Sequence, residues 1–318
     1  MATSPHIKRS IIMTTVANSD MTVGVFGLGS MGFGMAKSAL QAGFTVYGFD
    51  PNQDAVGRFT VLGGNAASPD SAAQSLDVVV VVVVNAAQTQ SVLFGDAGIV
   101  RQMKPGSTVI SCATVPPTFA KDMETQCRAH EINYLDAPIS GGSVKAAAGK
   151  LTIMASGTPD AFTHVRPVLD ALAEKVFELG AEAGPGSAMK VVNQLLAGVH
   201  IAAAAEAITF GISQGIDASQ CVDVISQCAG TSWMFENRGP HIAQGDYTPH
   251  SSVEIFVKDL GIVSDISRQS RFAAPIAATA LQQFIAASGM GFGYEDDSAV
   301  AKVYAQQAGI ELPKGTGE

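Results

Sequence analysis

The sequence predicts an α/β chain: a Rossmann-type, doubly wound sheet domain first, then an all-helical C-terminal domain, the two joined by one long helix. Three observations predict it. A strand-like run over 22–26 opens directly into a glycine-rich turn and a helix-like segment. A continuous apolar run over 78–84 suits a central parallel strand covered by helices on both faces. After the breaker Gly184-Pro185-Gly186 the strand-like runs cease and the pattern stays helical.

Taken in order, residues 22–26 read as a first strand, 27–32 as a tight turn, 31–42 as a helix stopped at Gly43, and 44–49 as a second strand ending at Asp50. Residues 78–84 and 108–111 read as further strands, Pro116-Pro117 as a loop, and 132–135, 151–155 and 176–179 as short strands. This gives a flexible N-terminal extension over 1–20, a dinucleotide-binding domain over 21–184 and a helical domain over 185–318. Ser187 is the expected N-cap of a proline-free helix over 188–214, about 40 Å long at ~1.5 Å per residue. Further helices are expected at 217–227, 253–269 and 275–287.

Of the 318 residues 47% are hydrophobic and 15% charged, which marks a compact chain and excludes a disordered one. The net charge of −9 gives no reason to expect nucleic acid, and an anionic substrate would need a local positive pocket. Cys112, Cys127, Cys221 and Cys228 form no Cys-x-x-Cys pair, so reduced thiols and a cytoplasmic setting are expected. The six histidines show no His-Glu-x-x-His pattern, and no metal site is expected. Residues 1–20 lack the apolar stretch of a secretory signal. The run 78–84 is too short for a bilayer span, which takes ~20 residues, so no membrane partner is expected.

Two constellations carry chemistry. Gly27-Leu28-Gly29-Ser30-Met31-Gly32 matches Gly-x-Gly-x-x-Gly between a strand and a helix, the context a dinucleotide site requires. The first glycine permits the turn, the second lets backbone approach a pyrophosphate, the third lets helix and strand pack closely. The alternative is a purely structural glycine turn. Asp50, 21 positions after Gly29, is placed to accept the ribose hydroxyls of NAD and to repel the extra phosphate of NADP; the nearest arginine is Arg58, and the bland reading of Asp50 is a loop cap. The second constellation is Lys190 with Asn193. They share a helix face, so a proton donor or acceptor stands beside an amide able to hold a substrate hydroxyl.

Four segments together resemble the β-hydroxyacid dehydrogenase family: 27–32, Asp136-Ala137-Pro138-Ile139-Ser140-Gly141-Gly142, 184–193, and Lys258-Asp259-Leu260-Gly261. The resemblance runs from Met21 onward. It implies an NAD-dependent enzyme for a small anionic hydroxyacid, with the carboxylate held by Ser140, Gly141 and Gly142, a concavity of one hydroxyl and unhindered N–H groups. It also implies Lys190 as the catalytic acid/base, Asn193 on the substrate, Thr114 near the nicotinamide ribose, Lys258 closing over the nicotinamide end with Asp259 in support, and a homo-oligomer, dimer or tetramer. The chain departs from the family pattern at Ala113, where serine is usual, in the loop 84–87, which lacks a proline, and at Lys145, where many relatives have glycine. A finer resemblance in 85–88, 140–147, 231–238 and 246–250 implies oxidation of a four-carbon sugar acid at C2.

Three alternatives stand: a family member acting on 3-hydroxyisobutyrate or tartronate semialdehyde, an imine reductase of the same fold, and a non-catalytic NAD-binding sensor. Lys190 argues against the last two. Trp233, Phe235, Asn237, Arg238 and His241 form a polar-aromatic cluster. Trp233 and Phe235 are expected to pack under a loop, and Arg238 is the candidate there for contact with substrate or a partner subunit.

Overall fold

The structure, a computed structural model, describes residues 21–315; the extension expected over 1–20 lies outside the described residues. Strands β1 (Thr22–Phe26), β2 (Thr45–Phe49), β3 (Val78–Val81), β4 (Thr108–Ser111) and β5 (Asn133–Asp136) run parallel in the order β2-β1-β3-β4-β5. Strands β6 (Ile139–Ser140) and β7 (Leu151–Gly157) follow; β7 lies antiparallel to β5 and β6 and parallel to β8 (Ala173–Glu178). Helices α1 (Gly32–Gln41), α2 (Gln53–Val61), α3 (Pro69–Ala72), α4 (Ala86–Phe94), α5 (Pro117–Arg128), α6 (Gly142–Ala147) and α7 (Pro159–Leu172) connect them.

The valine run shows why a two-sided sheet needs unbroken apolar strands. Val78 and Val80 enter a core with Met35 and Ala39 of α1 and Val165 and Leu169 of α7. Their neighbours Val79 and Val81 enter the opposite core, with Leu93 of α4 and Met123 of α5. Successive side chains of a strand point to opposite faces, so both parities must be apolar. The strand is shorter than the run: β3 ends at Val81. Val82 still donates to Phe26 O, but the Val84 N–H goes to the Gln88 side chain, and Val84 is exposed. The last valines have turned away to wall the glycine loop.

Other boundaries move by one to three residues: β5 includes Asp136, and β8 begins at Ala173. Helix α2, which sequence patterning did not single out, is N-capped by Asn52, whose side chain accepts from Asp54 N.

Helix α8 (Pro185–Ser213) is 29 residues long, and α9 (Ala218–Ile225), α10 (Trp233–Gln244), α11 (Val253–Ser270), α12 (Pro275–Ala287) and α13 (Ala301–Ala308) form the helical domain with it. Ile201, Ala205 and Ile208 of α8 share a core with Phe256, Leu260 and Phe284. A Cβ at Gly198 would lie 2.9 Å from Leu260 Cδ1, so the small residue sets how closely α8 and α11 approach. An 18-residue window of α8 has mean hydropathy 1.7 and is 44% buried. By length and composition that would suit a membrane span, but the packing makes α8 the half-buried axis of its own domain.

The head of α8 differs from the expected one. Gly184 is the cap residue, with φ +117, Pro185 takes the first helical position, and Ser187 lies inside the first turn. The capping acceptor comes from the other domain. Asp136, 1% exposed at the end of β5, accepts Gly184 N at 3.0 Å and Ser187 N at 2.8 Å through Oδ2, and Ser187 Oγ at 2.6 Å through Oδ1. Gly186 N donates to Ser156 Oγ of β7 at 2.9 Å. Burial raises the Asp136 carboxyl above its ordinary value, and these hydrogen bonds oppose the rise. Three of the N–H groups that every helix start leaves unpaired are thus satisfied by the sheet.

Asp136→Ala would strip two buried N–H groups and a hydroxyl of their acceptor. The expected loss is about 2–4 kcal/mol, read as a lower denaturant midpoint at near-normal slope. A loss under about 0.5 kcal/mol, the level of an ordinary surface change, would show that the helix head is held by something else.

Candidate active site

The strand order reverses between β1 and β3, and open sheets bind ligands at the carboxyl ends of strands at such a switch point. The glycine loop lies there. Gly27 donates to Phe49 O at 2.8 Å and has φ +95, and a Cβ on it would stand 2.3 Å from Val82 O. A Cβ on Gly32 would stand 1.9 Å from Gly27 O. On Gly29 it would meet nothing within 4 Å. The outer glycines are required by the protein's own packing, and the middle one faces open space. Leu28 is buried beneath the loop, Ser30 is exposed and Met31 is partly buried. Helix α1 begins with no side-chain cap and no acid in its first turn. An uncapped helix start above an open glycine suits a pyrophosphate, so these residues fit a dinucleotide.

Asp50 closes the cradle at the end of β2. Its Oδ2 accepts Leu28 N and its Oδ1 accepts Asn52 N, each at 2.7 Å. The loop-cap reading and the ribose reading are therefore compatible: two N–H groups fix the carboxylate, and its remaining lone pairs are free for ribose hydroxyls. Arg58 lies 5.4 Å over the Phe33 ring.

The second half of the site is built on α8 and α11. Lys190, buried in the second turn of α8, makes no hydrogen bond or ion pair among the described residues. Burial lowers its pKa from 10.5 to about 8; Asp259 opposes the shift and Lys258 adds to it. Asn193 Nδ2 donates to Gln194 Oε1 at 2.9 Å, and Gln194 Nε2 donates to Asp259 Oδ2 at 2.5 Å. Asp259 Oδ1 pairs with Lys258 Nζ at 2.6 Å, and Lys258 Nζ reaches the Thr114 carbonyl at 3.3 Å. Asn193, Lys258 and Thr114 are thus joined by one chain of polar contacts across the domain seam, with Lys190 beside Asp259 and Lys258. Sequence reasoning missed Gln194. A polar residue four positions after Lys190, on the same face of an otherwise apolar helix, was the available signal.

Ser140 lies on β6 opposite Thr152. Gly141 has φ +136 and Gly142 φ +76, and a Cβ on Gly142 would meet nothing within 4 Å. No hydrogen bond joins this loop to Lys190 among the described residues. The connection runs through Asp136, which precedes the loop on the chain and holds the head of the helix that carries Lys190.

Arg238 is a correction. Its guanidinium is 7% exposed and binds Asp297 through Nε at 2.5 Å and Nη2 at 3.1 Å, with Asp296 at 3.7 Å. It ties α10 to the turn before α13, so its charge is paired within the chain. Phe235 is buried as expected, but Trp233 is 57% exposed and packs under no loop. His241 Nδ1 meets Asp246 O at 2.9 Å.

Residues 22–180 match the model of the NAD-binding domain of 6-phosphogluconate dehydrogenase, and 184–304 that of the NAD-binding region of NADP-dependent 3-hydroxyisobutyrate dehydrogenase. The L-threonate dehydrogenase of Cupriavidus necator is 52% identical over 92% of this chain and 97% of its own length. That of Escherichia coli is 48% identical over 93% and 97%. A crystal structure of a Salmonella typhimurium protein described as 3-hydroxyisobutyrate dehydrogenase matches with TM-score 0.86 at 49% identity, covering 89% of this chain and 100% of that one. Fold and cradle together define an NAD-binding oxidoreductase acting on hydroxyacids. Within that class, the chain belongs to the β-hydroxyacid dehydrogenase family, the group that includes 3-hydroxyisobutyrate dehydrogenase.

Gly29→Ala separates cofactor binding from folding. With no protein atom near the new methyl group, the thermal midpoint should stay within ~2 °C. The dissociation constant for NADH, followed by fluorescence titration, should rise roughly tenfold or more, equivalent to ~1.4 kcal/mol. Unchanged affinity would mean that the pyrophosphate does not lie over Gly29.

Proposed function

We propose that this protein oxidises L-threonate at C2 to the 2-oxo acid 2-dehydro-L-erythronate, with Lys190 as the general base. The substrate assignment is supported by the similarity to proteins named L-threonate dehydrogenase, 46–52% identical over nearly their whole lengths. The chemistry rests on one observation: a buried lysine with no protein partner and a pKa lowered to about 8, one turn from an amide that is held in place.

The Ser140 hydroxyl and the N–H groups of Gly141 and Gly142 take the substrate carboxylate. Asn193 orients the C2 hydroxyl. Neutral Lys190 accepts the hydroxyl proton as the O–H electron pair becomes the second C–O bond and the C2–H pair leaves as hydride. Bound NAD supplies the hydride acceptor. Lys258 holds the loop at Thr114 against the helical domain and adds a positive charge that favours the neutral form of Lys190. Asp50 favours NAD, because the 2′-phosphate of NADP would meet a carboxylate already anchored by two N–H groups.

We further assign the enzyme to the cytoplasm, consistent with Cys112, Cys127 and Cys221 being buried and unpaired. We also assign it a homo-oligomeric state, dimer or tetramer. Met189, Val192, Leu196 and Phe210 form an exposed apolar stripe along α8, and a stripe of that kind usually meets a partner. Light scattering should give a multiple of 32.7 kDa at micromolar concentration; a monomer would refute it.

The test of substrate and cofactor is NADH formation with L-threonate, D-erythronate, 3-hydroxyisobutyrate, glycerate and serine, each with NAD and with NADP. Selective turnover of L-threonate with NAD is expected. Preference for 3-hydroxyisobutyrate or glycerate would keep the mechanism and discard the substrate. Silence on all five with NAD still bound would point to a sensor. Lys190→Ala should lower kcat by ~10²-fold or more with NAD binding retained, and near-normal turnover would discard the base assignment. Because the base must be neutral, the oxidative rate of the natural enzyme should rise with pH up to about 8 and then level off.

A further inference from the structure

A chain of polar side chains lies behind Lys190. Gln194 and Asp259 are both buried, at 7% and 2% exposure, between helices whose contact is otherwise apolar. Burying a carboxylate there is costly unless it is paired and hydrogen-bonded. One lysine would have sufficed to pair it. Instead the chain runs on in both directions and ends at the reacting centre each time: through Gln194 to the Asn193 amide, and through Lys258 to the Thr114 carbonyl.

The chain also has a fixed polarity. An ionised carboxylate only accepts, so Gln194 must turn its NH2 towards Asp259 and its carbonyl towards Asn193. Asn193 must then spend one N–H on Gln194. It keeps its carbonyl oxygen and its second N–H for the substrate. The acid on α11 thereby dictates which way round the substrate-binding amide on α8 faces.

We propose that Asp259 and Gln194 are positioning residues, a buried bridge that orients Asn193 and seats Lys258 against the Thr114 carbonyl. The proposal rests on the assignment of Lys190 as the base. Asp259 favours the charged form of Lys190 and Lys258 disfavours it. The remaining charged groups packed along α8 are engaged locally. Asp136 of β5 is bound to the helix head, and Glu124 of α5 accepts Ala183 N and pairs with Arg128. Lys121 of α5 pairs with Glu182, Glu206 of α8 neighbours Tyr304 of α13, and Arg238 of α10 pairs with Asp296 and Asp297.

The experiment is the pH profile of kcat for oxidation in the full-length protein. Asp259→Asn removes the charge that holds a proton on Lys190, so the rising limb should move to lower pH by on the order of one unit. The plateau should fall roughly tenfold or more, the lower range for lost positioning and acid–base help. Lys258→Met removes a positive neighbour and should move the limb the other way, to higher pH. Opposite displacements from adjacent residues on one helix are not what general loosening produces. Gln194→Leu leaves every charge in place. It should lower the plateau with the limb unmoved, and it keeps the proposal testable if Asp259→Asn does not fold.

The proposal is overturned if Asp259→Asn keeps both limb and plateau, or if Gln194→Leu turns over within twofold of the natural enzyme. Lys190→Ala serves as the reference. If it retains the limb, the base assignment has failed. If it loses the limb while Asp259→Asn leaves it unmoved, only the bridge has failed.

Discussion

Asp136 ties the helical domain to the sheet domain at the head of α8, beside the Gly186–Ser156 and Lys258–Thr114 hydrogen bonds. A 29-residue helix that begins at a domain seam has N–H groups with no acceptor of their own. The sheet supplies that acceptor as a carboxylate at the carboxyl end of β5, where a negative charge also meets the positive end of the helix dipole. The Ser187 hydroxyl on the same carboxylate adds rotational registration about the helix axis. Three residues later the chain reaches Lys190. The lysine needs no loop to position it, because the helix start fixes its height and Ser187 its direction. The strand that ends in Asp136 runs on into Ser140, Gly141 and Gly142, so one residue links the loop proposed for the substrate carboxylate to the helix that carries the proposed base.

Electrostatics then divide the labour in a chain whose net charge is −9. Long-range attraction does not favour an anionic hydroxyacid. Positive character at the site is local, from Lys190 and Lys258, from Lys145 beside Gly141, and from N–H groups at helix starts and glycine turns. Confinement has a chemical use. A lysine exposed to water would stay protonated near neutrality, whereas one that is desolvated beside a second lysine releases its proton within the working range of an enzyme. A single acid, Asp259, keeps that shift moderate and holds the second lysine in place.

What the sequence made legible was what depends on neighbours in the chain. The glycine turn was readable because the spacing of its glycines is a pattern within six residues, even though the atom that excludes a side chain at Gly27 is Val82 O on another strand, and Lys190 with Asn193 because helical spacing is local. Asp136 was noticed only as the first residue of a motif, since its partners stand 48 and 51 positions away. The same distance problem misassigned Ser187. A serine after Gly-Pro-Gly has the composition of a helix cap, yet the true capping atom sits on another domain. Arg238 looked available because the carboxylate it binds most closely, Asp297, lies 59 positions on. The run 78–84 looked like one strand because composition does not record where a chain turns to wall a ligand loop.

The apolar character of α8 follows from the same arrangement. The helix must present its inner face to α11 and α12, so that face is alanine, isoleucine and glycine, with Gly198 admitting Leu260. At its N-terminal end that face carries Lys190 and Gln194 instead, and there α11 presents Asp259 and Lys258. One helix therefore holds a dry core along most of its length and a buried polar site at its anchored end. The two are compatible because the end that carries the polar groups is the end the sheet domain holds through Asp136. A loosely held helix end would admit water to Lys190 and restore an ordinary lysine. The rigidity of the seam and the lowered proton affinity of Lys190 thus both depend on burying the same few residues.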